Sequence, residues 1–157
     1  MKKKLLFLVS MFVFSSLVNA NTGQNEGKVV SLTKSDFIEK VYDYEKNPDK
    51  WVFKGNKPLI IDFYADWCAP CRMLSPVLKS LAEKYKDDIV IYKVNTEKER
   101  ELSAAFGIRS LPTLLFVPMD EIPQMAQGAL PKDIIEKGIN EVLLKRKDAD
   151  GNIVSIE

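Results

Sequence analysis

Asp66-Trp67-Cys68-Ala69-Pro70-Cys71-Arg72, with the strand read as leading into it, is the stretch that decides this chain. It holds the only two cysteines in 157 residues. A C-x-x-C serves as a zinc ligand pair, a haem attachment, an iron–sulfur ligand or a dithiol/disulfide redox pair. Zinc takes four ligands, mostly Cys and His, and the chain has no His and no third Cys. Haem attachment needs His directly after the second Cys, where Arg72 stands. A cluster needs four donors, usually Cys. Thiol chemistry remains, with no cofactor required.

Working outward, Pro58-Leu59-Ile60-Ile61-Asp62-Phe63-Tyr64-Ala65 is a short, β-rich apolar run and reads as a buried parallel strand. On the other side Leu74, Val77, Leu78, Leu81 and Ala82 recur at helical spacing, which predicts a helix from about 68 to 85. Cys68 therefore lies where a strand hands over to a helix N-terminus. Pro70 suits the first turn, where its missing N–H costs nothing. Unpaired N–H groups and the positive end of the dipole favour a thiolate at Cys68. Cys71, one turn on, is expected to be deeper and close enough to attack a mixed disulfide on Cys68.

The segment from Ile61 to Cys71, followed by Pro76 inside the helix and by a later Leu111-Pro112-Thr113, resembles the active-site segment of the thioredoxin family. The likeness spans about residues 30–145. It implies an α/β thioredoxin fold: a three-layer α/β/α sandwich with a mixed central sheet. It also implies a thiol-disulfide oxidoreductase, with protein disulfides as substrates and another dithiol protein as electron donor. Asp62, a carboxylate inside an apolar strand, should be desolvated and so able to hold a proton near neutrality. Read from the residues alone, it is either such a base or a carboxylate satisfied by backbone N–H groups; the resemblance implies a general base for Cys71. Lys93, the charged intruder in the strand 88–94, either pairs with Asp62, as the resemblance implies, or packs its stem and sends its head to water. The family's proline matching Pro112 is cis and faces the disulfide, which would free the Leu111 backbone for an extended substrate. Trp67, Ala69, Pro70, Leu111, Pro112, Gly128 and Ala129 would form the contact surface. Three departures stand out: Ala69 replaces the usual Gly, Tyr64 stands where Trp is common, and the Pro-flanked turn 118–123 replaces a shorter one containing Gly.

At the start of the chain, Lys2, Lys3 and Lys4 precede an apolar run over 5–18 that ends in Val18-Asn19-Ala20. That is the pattern of a cleaved signal peptide over 1–20, and the run is shorter than the roughly 20 residues of a membrane span. Its removal takes three of 23 basic residues and none of 22 acidic ones, leaving a slightly acidic chain. Nothing in that balance favours nucleic acid or an anionic membrane. Export points to a periplasmic or secreted protein, to exported client proteins, and to an inner-membrane dithiol donor. Residues 21–28 read as a flexible lead-in, 29–145 as one domain, expected to be a monomer, and 146–157 as a tail. The tail's Asp148-Ala149-Asp150-Gly151-Asn152 hints at a calcium loop, but the register puts Arg146 at the first ligand position, so it reads as a turn.

Within the domain, Val29-Val30-Ser31-Leu32 reads as a strand. Thr33-x-x-Asp36 reads as a capping box opening a helix through Tyr44, stopped by Asn47-Pro48-Asp49. Trp51 reads as a packing residue against that helix. A second capping box, Thr96-x-x-Glu99, should open a helix ending at Gly107. Leu114-Leu115-Phe116-Val117 and Gln124-Met125-Ala126-Gln127 read as strands, and 131–145 as a final helix. The alternatives to a reductase are a disulfide donor or isomerase of the same fold, or a peptide-binding module with a vestigial redox pair.

Overall fold

The computed structural model describes residues 27–146; the predicted signal peptide and nearly all of the lead-in and tail lie outside the described residues. The elements, in chain order, are β1 (Val29–Ser31), α1 (Lys34–Lys40), β2 (Leu59–Tyr64), α2 (Ala69–Lys84), β3 (Val90–Asn95), α3 (Arg100–Ala105), β4 (Thr113–Val117), β5 (Gln124–Gln127) and α4 (Lys132–Gly138). A π-helical turn, Ile139–Leu143, follows α4. The strands form one sheet in the order β1-β3-β2-β4-β5. β1, β3 and β2 run parallel, while β4 and β5 are antiparallel additions. This is the mixed sheet the resemblance implied.

Alternation along β2 sorts the core into two halves. Ile60 faces Leu74, Leu78 and Leu81 of α2, together with Ile135 of α4 and Ile139. Ile61 and Phe63 face the other way, onto Phe37 of α1 and Leu102 of α3. Two helical layers therefore cover both faces of β2, which explains why it reads as a continuous apolar run rather than an alternating one. Each fully buried Leu, Ile or Phe contributes about 1.5–3 kcal/mol by leaving water. Phe37, fully buried and edge-on to Phe106 at 5.0 Å between ring centroids, is one of the largest such contributors.

The Thr33 capping box forms as expected: the Thr33 side chain accepts from the Asp36 backbone N–H, and the Asp36 carboxylate accepts from the Thr33 backbone N–H. The helix it opens ends at Lys40, a turn short of the predicted Tyr44. The cause is a long-range contact. Lys54 N–H bonds the Val41 carbonyl and the Lys54 ammonium bonds the Ile38 carbonyl, so the returning loop satisfies acceptors that a longer helix would have used. Trp51 is a packing residue, with its ring 4.3 Å from that of Tyr42 between centroids.

The Thr96 capping box does not form. Thr96 N–H and its hydroxyl both bond the Tyr64 carbonyl, and the turn before α3 is instead closed by Asn95, whose Oδ1 accepts from the Glu97 and Lys98 backbone N–H groups. The end of α3 is as predicted. Gly107 takes φ +63°, and Gly107 N–H and Ile108 N–H bond back to Ala104 and Ser103, a Schellman closure. The final helix is not uniformly α: after Gly138 it widens into the π-helical turn.

Candidate active site

β2 delivers the chain to the site and α2 receives it. After Tyr64, Cys68 N–H bonds the Ala65 carbonyl, and Cys68 becomes the N-cap of α2 with Pro70 in the first turn. Its Sγ accepts from the Cys71 backbone N–H at 3.2 Å. Cys68 and Cys71 form a disulfide, S–S 2.06 Å. In the reduced protein the same N–H group and the helix dipole stabilise a Cys68 thiolate. Cys71 continues the buried stripe of α2 formed by Leu74, Leu78 and Leu81.

The expectation that Cys71 is deeper than Cys68 is corrected. The two are equally buried, at 4% and 3% exposure, because Leu111, Tyr64 and Ala65 pack over both. What separates them is access: Cys68 lines an open cleft of about 510 Å³, and Cys71 does not.

One wall of that cleft is the predicted one, made of Trp67, Ala69 and Pro70. Trp67 is two-thirds exposed, an apolar ring held out to solvent at the entrance. The other wall runs from Thr96 to the segment Ile108-Arg109-Ser110-Leu111. Of these only Leu111 was predicted. The other four were read as a helix cap and a connection, because what brings them to Cys68 is the sheet, not any local pattern. The Leu111–Pro112 peptide is cis, as the resemblance implied. The strand that follows it, β4, is interior to the sheet, between β2 and β5.

Gly128 and Ala129 are not among the residues lining the cleft. Gly128 sits beside it: its N–H bonds the Pro112 carbonyl at 2.8 Å. Its φ of +93° requires glycine on backbone grounds, and the space where a Cβ would point is open.

Asp62 is 5% exposed on β2, on the α2 face of the sheet, in register with Lys93 of β3 and Leu114 of β4. Its Oδ1 has no hydrogen-bond partner, so no backbone N–H group satisfies that oxygen. Burial pushes the Asp62 carboxyl up to about 7, with the positive charge of Lys93 pulling the other way. Lys93 acts on Asp62 through its charge and not through an ion pair: its ammonium lies 5.4 Å from the centre of the Tyr64 ring.

Beside a disulfide at a helix N-cap, a buried carboxylate on the α2 face of the sheet and a cis proline before β4 stands a likeness to known proteins. The family model described as Thioredoxin matches residues 28–141. The chain belongs to the thioredoxin family. It is 50% identical over 112 residues to the thioredoxin of Borreliella burgdorferi, covering 71% of this chain and 95% of that one. With the thioredoxin of Porphyra purpurea it shares 39% identity over 92 residues, 59% of this chain and 86% of the relative. An N21Q mutant thioredoxin from Halobacterium salinarum NRC-1 has the same fold: TM-score 0.60 at 24% identity, covering 75% of this chain and 93% of its own. This family member is a protein-disulfide oxidoreductase whose reaction runs through Cys68 and Cys71. Among the described residues no cluster of side chains could hold a metal ion.

Proposed function

We propose that this protein is an exported reductase that uses its Cys68–Cys71 dithiol to reduce disulfides in extracytoplasmic proteins. The observation that carries the catalytic part is the placement of Cys68, and not Cys71, in the cleft. The Cys68 thiolate attacks one sulfur of a client disulfide, forming a mixed disulfide and releasing the client's other sulfur as a thiolate, which takes up a proton. Cys71 then gives its proton to Asp62, and its thiolate displaces the client's first sulfur. Two electrons pass to the client, and the Cys68–Cys71 disulfide remains. Trp67, Ala69, Pro70 and Leu111 hold the client segment, with Pro112, Gly128 and Ala129 bordering it. An upstream dithiol protein, held in the inner membrane, returns the two electrons.

Export rests on residues 1–20: three lysines, an apolar run and a small-residue end at Ala20. The test is expression of the full chain in a bacterium, followed by fractionation and mass spectrometry. A periplasmic product beginning at Asn21 supports export, and an intact chain in the cytosol or membrane overturns it.

The direction of electron flow is tested by equilibrating the Cys68–Cys71 pair in defined thiol buffers. A potential near about −270 mV supports the reductase, whereas about −180 to −120 mV makes the protein a disulfide isomerase or donor.

A further inference from the structure

The lining of the cleft beside Cys68 is mostly apolar, yet one permanently charged side chain stands in it, Arg109. Elsewhere the fold ties many of its surface cations to carboxylates: Lys34 to Glu45 and Glu101, Lys84 to Glu136, Lys145 to Glu121, Arg146 to Asp88. Arg109 has no such partner among the described residues. The carboxylate on the Trp67 side of the cleft, Asp66, is engaged by the Asn95 side chain. The guanidinium is therefore left for something that enters.

We infer that the client segment presents a carboxylate to Arg109, from an Asp or Glu within a residue or two of its reactive cysteine. The inference rests on the reductase reading of the same cleft and adds the class of substrate. A guanidinium offers a planar fork that takes a carboxylate through two parallel hydrogen bonds. An extended segment advances about 3.3 Å per residue, so the near neighbours of a cysteine held at Cys68 lie within the reach of a long arginine side chain on the opposite wall. The Cys68 thiolate adds a second consideration. It is itself anionic, and an acidic client entering without Arg109 meets that like charge with no cationic side chain from the cleft lining to offset it. Arg109 thus turns a repulsion into a preference.

The test uses two peptides with one disulfide each, identical except for Glu or Gln beside the attacked cysteine. Rates are normalised to their reduction by dithiothreitol. In low salt the wild-type protein should favour the Glu peptide in kcat/KM by about three- to fivefold, the range of an exposed ion pair, and the ratio should fall toward one as salt is raised. Arg109→Gln should bring the ratio to one or below, and Arg109→Glu should favour a Lys peptide instead. A wild-type ratio of one with both peptides reduced overturns the role of Arg109 and leaves the reductase standing. Reduction of neither peptide overturns both.

Discussion

Asn95 Nδ2 donates to Asp66 Oδ2 across 3.2 Å, joining the end of β3 to the residue that precedes Trp67 and Cys68. The same side chain closes the turn before α3 through its Oδ1. On the other side of Asp66, Arg72 Nη1 donates to its carbonyl at 3.2 Å. The loop that presents Cys68 is thus held from β3 and from α2 at once, and Thr96, next to Asn95, forms part of the facing wall of the cleft. Asn95 is a positioning residue for that loop.

Asn95→Asp keeps the acceptor that closes the turn but replaces the donor with a second carboxylate facing Asp66. The expected result is a loss of roughly fivefold in kcat/KM on a protein disulfide, the scale of one hydrogen bond, with a smaller effect on a small-molecule disulfide. Adding Asp66→Asn restores a donor–acceptor pair and should recover most of the rate. No recovery in the double variant would place the effect elsewhere.

Asp62 sets a pH dependence with a definite sign. Its folded value of about 7 lies above the ordinary unfolded value near 3.9, so the native state binds more protons between those values. Stability attributable to this group therefore falls as pH rises from about 4 to 7, and the cost is complete above 7. Asp62→Asn removes that cost. Unfolding free energies of the oxidised protein from urea titrations should match wild type near pH 4 and exceed it at pH 8, by on the order of 4 kcal/mol at most. The same variant should be slow in resolving mixed disulfides and lose the limb of its pH–rate profile near 7.

Truncating each cysteine separates the two steps. Cys68→Ser should abolish reduction of insulin or any protein disulfide. Cys71→Ser should still attack but fail to resolve, accumulating a mixed disulfide seen on a non-reducing gel. Accumulation in Cys68→Ser instead would reverse the roles of the two sulfurs.

Gly138 ends α4 against the sheet. A Cβ there would lie 2.7 Å from a ring carbon of Phe116, which is itself buried at 5% exposure. Gly138→Ala should destabilise by about 1–3 kcal/mol through forced repacking, despite the better helix propensity of alanine. Thermal or chemical denaturation of the purified variant reads this directly.

Much of this was legible in the residues because it depends on near neighbours. The strand–C-x-x-C–helix order, the buried charge at Asp62, the Thr33 capping box and the Gly107 stop are all written within a few positions. What was not legible depends on distant partners. The shortened α1 reflects Lys54, sixteen residues beyond the Ile38 carbonyl it bonds. The failed box at Thr96 reflects its commitment to Tyr64, 32 residues earlier. For the same reason, Thr96 and 108–110 were invisible as a cleft wall, and the bond from Gly128 N–H to the Pro112 carbonyl, sixteen residues earlier, was not legible either.

β2 ends and β4 begins at the same end of the sheet, with Phe63 opposite Thr113 and Asp62 opposite Leu114. Cys68 follows the first of these strands and Leu111 precedes the second. Cys68 and Leu111 are therefore both anchored to neighbouring, hydrogen-bonded rungs of a single ladder. A client is then expected to supply the shape change that brings its sulfur in line with Cys68, and disulfides in loose or locally opened segments are expected to be reduced faster than those in rigid ones.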